Sequence, residues 1–139
     1  MKIVLFILLF YSLKMNILFA QNRNSIKIHY SLSPQLNAGS KINLKVMVEH
    51  HLSKEETGNL TLELTDASTK KSVDGWFLNI FSFQYFTSIK GEKFTTQFPF
   101  TIPSDFKGKF ILTLKAICGE AKDSVSQTFS IAFKNISHE

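Results

Sequence analysis

Cys118 is the residue with the most suggestive chemical setting in this chain. Cys118-Gly119-Glu120 matches the centre of the thioester motif Gly-Cys-Gly-Glu-Gln. The motif's glutamine must condense with the cysteine, but Ile117 and Ala121 occupy the two outer positions of the motif here. Because that glutamine is missing, we predict no thioester and expect Cys118 to be a buried or strand-end thiol that acts as a small hydrophobic residue. The alternative is an exposed thiol that pairs with another chain.

A second candidate group is Glu49-His50-His51, which contains common metal-ligand types. Adjacent residues on a strand point to opposite faces, so both imidazoles cannot reach one ion without a turn. A solvated strand end is therefore the favoured interpretation. The remaining histidines and carboxylates are scattered, and no serine or cysteine lies in a nucleophile elbow. We predict no catalytic residue, no metal site and no cofactor, and hence no enzyme.

The strongest candidate for a binding surface is the aromatic run 76–86. The longer apolar segment 76–89 that contains it fits neither strand nor helix period, so this segment is either a strand buried on both faces or a strand followed by a loop with surface aromatics. Exposed apolar patches usually mark contacts, but a small domain without disulfides also needs aromatic side chains in its core. We favour the core and keep a partner surface as the alternative. The candidate contact residues are Trp76, Phe77, Phe81, Phe83, Tyr85 and Phe86.

Residues 1–20 have the pattern of a signal peptide. Lys2 precedes the apolar run Ile3–Tyr11, and Leu18–Ala20 ends on a small residue suited to cleavage. The alternative is an uncleaved anchor, but the run is interrupted well short of the roughly 20 apolar residues that a spanning helix needs. We expect export to the periplasm or the extracellular space, no membrane attachment after cleavage, and a single domain over residues 21–139.

The charge distribution argues against a nucleic-acid partner, and the cysteine content excludes an internal disulfide. The 139 residues carry a formal net charge of +5, which falls by two when Lys2 and Lys14 leave with the signal peptide. The other lysines are scattered, so we predict no nucleic-acid partner. Cys118 is the single cysteine, so no internal disulfide forms and packing alone must hold the fold.

Apolar and polar residues alternate through most of the mature chain, which is the period of a strand with one buried face. Pro99 lacks an N–H group and indicates an edge strand or a bulge. About seven short strands without helical periodicity predict an all-β fold, an antiparallel β-sandwich of immunoglobulin-like or fibronectin-III-like shape. The predicted strands are 26–32, 41–49, 60–64, one within 76–89, 94–102, 110–118 and 125–133.

Several short segments of the chain, in order along residues 26–135, resemble the macroglobulin domain that follows the bait region in bacterial α2-macroglobulin-like proteins. The resemblance implies a β-sandwich that forms one wall of a protease trap, with proteases or other macroglobulin-type domains as partners. The chain departs from the family because it has neither a bait segment nor a thioester region. The matching segments are Ala38-Gly39-Ser40, Leu52–Glu55, Thr57–Asn59, Glu63–Ala67, Lys71–Asp74, Phe100–Pro103 and Asp123-Ser124.

We therefore expect an exported, non-catalytic β-sandwich related to the α2-macroglobulin endopeptidase inhibitors, either as a stand-alone domain or as a fragment. One alternative is a secreted interaction or adhesion module that uses residues 76–86. Another is a module that holds a small apolar ligand between its sheets, which requires a cavity.

Overall fold

The computed structural model describes residues 24–132, which form eight strands and no helix. The predicted signal peptide lies outside these residues. None of the described residues forms a helix long and apolar enough to cross a membrane. The strands are β1 Ser25–Tyr30, β2 Gln35–Asn37, β3 Lys41–His51, β4 Thr57–Asp66, β5 Phe83–Thr87, β6 Phe94–Thr101, β7 Lys109–Cys118 and β8 Ala121–Ala132.

The strands form two sheets, one of three strands in the order β1-β3-β6 and one of five in the order β2-β8-β7-β4-β5. The predicted all-β sandwich is confirmed, with eight strands instead of about seven. Every pairing is antiparallel except that of β2 with β8, which is parallel. β2 is the additional strand, since none of the predicted strands includes Gln35–Asn37.

The inward side chains of both sheets form one core. Leu60, Leu62 and Leu64 of β4 are fully buried between the sheets, as the alternation predicts. At about 1.5–3 kcal/mol for each buried side chain, a one-residue slip of β4 would be costly, so its register is well determined. The largest other buried side chains are Leu44, Phe77, Phe98, Ile102, Phe106, Phe110, Leu112, Leu114 and Phe129.

The two sheets have four edge strands, β1, β6, β2 and β5. On the first two an outward N–H is already hydrogen-bonded, and the third is short. On β1, the N–H of Ile28 donates a hydrogen bond of 2.9 Å to Asp123 Oδ2. On β6, the N–H of Thr101 donates to the carbonyl oxygen of Phe77 at 2.7 Å, and Pro99 has no N–H to offer. The edge position predicted from Pro99 is therefore confirmed. The third of these edges, β2, is only three residues long. The remaining edge is β5.

Candidate interaction surface

The loop between β4 and β5 is anchored in the core by Phe77. This side chain is fully buried and meets the rings of Phe106 and Phe110 edge to face, with centroids 5.0 and 5.1 Å away. Its backbone carbonyl accepts the Thr101 bond described above. The loop is thus attached to the core and to the edge of the opposite sheet.

Two side chains fix the base of the same loop by acting as hydrogen-bond partners for β4. Asp74 Oδ1 accepts the N–H of Leu64 at 2.8 Å. Asn79 Nδ2 donates to the carbonyl oxygen of Leu62 at 3.0 Å and to Asp74 Oδ1 at 2.8 Å. These bonds satisfy backbone groups of β4 that a neighbouring strand would otherwise pair. The chain between Asp74 and Asn79 can therefore leave the sheet and project outward.

The projecting loop and the outer face of β5 expose large apolar side chains. The exposed fractions run from 49% at Phe83 to 74% at Ile80. A large side chain has a surface of about 150–250 Å², so the exposed parts of the six side chains named below add up to roughly 700 Å². For comparison, the largest contiguous apolar patch on a typical monomer is about 300–600 Å², so this much exposed apolar area on one loop and the strand that follows it needs an explanation. We call these residues the aromatic surface: Trp76, Leu78, Ile80, Phe81, Phe83 and Tyr85.

Alternation along β5 separates its outer and inner side chains. Phe83 and Tyr85 point outward and contact each other edge to face, with centroids 4.9 Å apart. Gln84 points inward and donates from Nε2 to the carbonyl oxygen of Gln97 at 3.0 Å, while Phe86 stacks on Phe94 with centroids 5.0 Å apart. The inner side chains thus bind β5 to the opposite sheet and leave the outer pair free.

The structure divides the six candidate contact residues into two groups. Trp76, Phe81, Phe83 and Tyr85 are exposed, whereas Phe77 and Phe86 are buried and so lie in the core instead of on a contact surface. The core interpretation favoured for this segment is wrong for the four exposed aromatics. The order of elements also differs from the prediction, because the loop precedes the strand.

Cys118 has the position predicted for it, as a buried free thiol at the end of β7. Its Sγ lies 3.7 Å from the carbonyl oxygen of Glu56 and donates a weak hydrogen bond to it. Burial raises the pKa of the thiol, so the reactive thiolate is disfavoured.

The histidines near Glu49 lie on different faces, as predicted. His50 faces the core and is buried, which corrects its expected solvation, while His51 is exposed. His29 on the neighbouring strand was missed, and its Nε2 donates to Glu49 Oε2 at 2.9 Å. This bond, more than the one from His51, holds the pKa of Glu49 below its usual value. Among residues 24–132, no cluster of three or more His, Cys, Asp or Glu side chains is arranged to hold a metal ion.

Two surface grooves accompany these features. One, of about 590 Å³, lies on the three-stranded sheet between His29 and Gln97. The other, of about 770 Å³, lies beside the β3–β4 connection and is lined by polar residues that include His50 and Lys54. Both are open to solvent. Neither provides the enclosed apolar cavity that the small-ligand hypothesis requires.

Comparison with known proteins identifies the fold alone. No family model and no curated protein matches the chain. Among solved structures, the CARDB domain of a Pyrococcus furiosus protein, in complex with di-metal ions, superposes with a TM-score of 0.56 at 7% identity, over 79% of this chain and 88% of that chain. A chain of the complex between ZAG and Prolactin inducible protein from human seminal plasma gives 0.52 at 7% identity, over 79% and 97%.

A third similar structure is a β-glucosidase from Listeria innocua in complex with glucose, with a TM-score of 0.54 at 13% identity. The match covers 77% of this chain but only 16% of the glucosidase chain. These identities are too low to transfer an activity, because one fold supports many functions. What the similarities support is an immunoglobulin-like β-sandwich.

Proposed function

We propose that this chain is an exported, non-enzymatic module that binds protein through the aromatic surface. The observation that carries the proposal is the exposure of six large apolar side chains on a loop and strand that are fixed from within. Trp and Tyr are enriched among residues that dominate binding energy. Phe77, Asp74 and Asn79 hold the loop in place before any partner arrives, which lowers the entropic cost of binding.

Leu78 supports the same proposal. Its φ is 55°, a conformation that costs a non-glycine residue about 1–3 kcal/mol, and its side chain is 58% exposed. Glycine would avoid the strain and would also remove an exposed apolar group. Leu78 therefore lowers both the stability and the solubility of the free chain. We expect a residue with these two costs to be present because its side chain contacts a partner.

The test of this proposal uses a surface variant and a matched control. The surface variant replaces Phe81, Phe83 and Tyr85 with threonine, which preserves strand propensity. The control is Ile111→Thr, on the outer face of β7 and away from β5. Each chain is immobilised and exposed to the exported proteins of the source organism, and each retained protein is then purified and titrated.

The expected result is a partner that binds the wild-type and control chains alike and binds the surface variant about tenfold more weakly or worse, a loss of about 1.4 kcal/mol. Equal retention by the surface variant would overturn the proposal. Circular dichroism of all three chains confirms that each is folded.

Export is the part of the proposal that rests on residues 1–20. Mass spectrometry of the chain recovered outside the cytoplasm is expected to show a mature form that begins near residue 21. A chain kept inside the cell with residues 1–20 attached would contradict export.

The relationship to α2-macroglobulin-like inhibitors is a second proposal, and it rests on the resembling segments of the sequence, two of which lie side by side in the fold. Glu63–Ala67 and Lys71–Asp74 form one turn, in which the N–H of Asp66 donates to the carbonyl oxygen of Lys71 at 2.9 Å. Purified chain is mixed with proteases of several classes, and binding and peptide hydrolysis are both measured. Retention or slowing of a protease supports inhibition, and the absence of both opposes inhibition by this chain alone.

A further inference from the structure

The outer edge of β5 has backbone hydrogen-bonding groups that face away from the sheet. Just beyond β5, the N–H of Ser88 donates to the carbonyl oxygen of Glu56, the residue before β4, at 2.9 Å. Antiparallel pairing alternates between neighbouring residues, so the N–H and C=O groups of Phe83, Tyr85 and Thr87 point to the opposite side. Since β5 is the last strand of its sheet, no strand of residues 24–132 lies there.

The β5 edge also lacks the features by which proteins prevent edge-to-edge association. Such features include lysine, proline, a bulge, or a covering side chain. The sequence FQYFT has neither lysine nor proline, and its register against β4 is continuous. On β1 and β6, by contrast, one outward N–H is already bonded, that of Ile28 to Asp123 and that of Thr101 to the Phe77 carbonyl. Within the described chain, β5 is therefore the edge most open to an added strand.

The sequence around Tyr85 is suited to pairing with itself. In an antiparallel pairing about a two-fold axis at Tyr85, Phe83 of each copy lies opposite Thr87 of the other. Phe81 and Ile89, which lie two residues beyond the two ends of β5, are both exposed as well. In this register the outward-facing N–H and C=O groups of Phe83, Tyr85 and Thr87 would all be hydrogen-bonded. Two residues that lie opposite each other at such positions donate to and accept from one another.

We propose that β5 pairs antiparallel with β5 of a second copy of this chain, with the two-fold axis at Tyr85, giving a continuous ten-stranded sheet. This rests on the proposed function, since it names the partner of the aromatic surface. A dimer that buried the whole aromatic surface would remove roughly 700 Å² of apolar side chain per copy from solvent, near the approximately 800 Å² that each partner contributes to a standard interface. Tyr85 of both copies then forms the centre of the interface.

The first experiment measures self-association of the purified chain by sedimentation from about 1 to 200 μM. We expect a concentration-dependent dimer. Tyr85→Lys places two ammonium groups opposite each other at the axis, where like charges are unfavourable, and is expected to weaken the dimer at least about tenfold. The matched control is Thr95→Lys, an exposed position on the edge strand β6, which is expected to leave the dimer unchanged.

The second experiment tests the register with disulfides. Paired residues of this kind have Cα atoms about 5.5 Å apart, which suits a disulfide. Tyr85→Cys is therefore expected to form a cross-linked dimer under mild oxidation, whereas Phe83→Cys is not, because its opposite residue is Thr87. Cys118 stays in place, since it is buried. Cross-linking of Phe83→Cys but not Tyr85→Cys would overturn the register.

A monomer at all concentrations, with no cross-link from Tyr85→Cys, would overturn the dimer. The proposed function is judged separately by the retained-partner experiment. A monomeric wild-type chain that still captures another protein, and loses it in Tyr85→Lys, would assign the β5 edge to a strand of that protein. A dimer that captures nothing else would leave self-association as the activity of the surface.

Discussion

Gly58 provides the most direct test of packing around β4. It lies in the middle of the five-stranded sheet, opposite Phe86 of β5 and Cys118 of β7. A Cβ added here would lie 2.6 Å from Phe86 Cζ and 2.7 Å from the carbonyl oxygen of Ile117. A carbon atom does not pack this closely against another carbon or an oxygen, so Gly58→Ala must displace both the Phe86 ring and the backbone of β7.

Neither displacement is easy. The Phe86 ring is stacked on Phe94 with centroids 5.0 Å apart, and the Ile117 carbonyl belongs to a strand paired on both sides. Overpacking of this kind costs about 1–3 kcal/mol, while loss of glycine flexibility in a strand returns roughly 0.5–1 kcal/mol. The net of these two effects is a loss of about 1 kcal/mol in the free energy of unfolding of Gly58→Ala, which corresponds to a fall in Tm of roughly 4–6 °C.

The assay is urea unfolding followed by circular dichroism, with the slope of the transition unchanged. The control is Gly75→Ala, because an added Cβ there meets no atom within 4 Å, and its stability is expected to stay within about 0.5 kcal/mol of wild type. In the double variant Gly58→Ala with Phe86→Leu, the cost of the alanine should fall, since the nearest ring atom is gone. Gly58→Ala as stable as wild type would refute the close packing.

Two further predictions concern titrating groups. The Thr69 N–H, and then the groups of Ser68, hydrogen-bond Asp66 and hold its pKa below the usual range. The stability this contributes is present above the unfolded-state pKa of about 4 and is lost as the pH falls through the lower folded-state pKa. Asp66→Asn should flatten the decline in stability measured by urea unfolding from about pH 5 to about pH 2; an unchanged decline would contradict the role of this carboxylate. Burial raises the pKa of Cys118, so a thiol reagent at about pH 8 should label unfolded chain much faster than native chain; equal rates would mean that the thiol is accessible.

The sequence predicts the fold well where one face of a strand is buried. In β3 the alternation of apolar and polar residues identifies both the strand and its inner face, because burial of each side chain is set by a period of two. In β7 the same period identifies the strand, although Ile111 and Ile117 make its outer face partly apolar. Cys118 and Pro99 are likewise placed by local chemistry, the first as a thiol at a strand end and the second on an edge.

The features that the sequence does not reveal depend on distant residues. Strand β2 forms because Gln35–Asn37 pairs with Ser130–Ala132. The two segments are almost a hundred positions apart, so the residues around either one give no sign of the pairing. The aromatic surface is hidden for a different reason, since large apolar residues ordinarily indicate a core. What exposes Trp76 and Phe81 is the bonding of Asp74 and Asn79 to β4, which composition alone does not show.

The parallel pairing of β2 with β8 also determines how the domain carries mechanical load. The three register pairs of β2 lie side by side with strands running in the same direction. Tension transmitted from the N-terminal side of β2 and the C-terminal side of β8 slides the two strands past each other. All three pairs then resist in shear together, instead of opening one after another like a zipper. When the sandwich is stretched through its two ends, the pull reaches β2 after β1, so the β2–β8 pairing resists in shear once β1 has been displaced from β3.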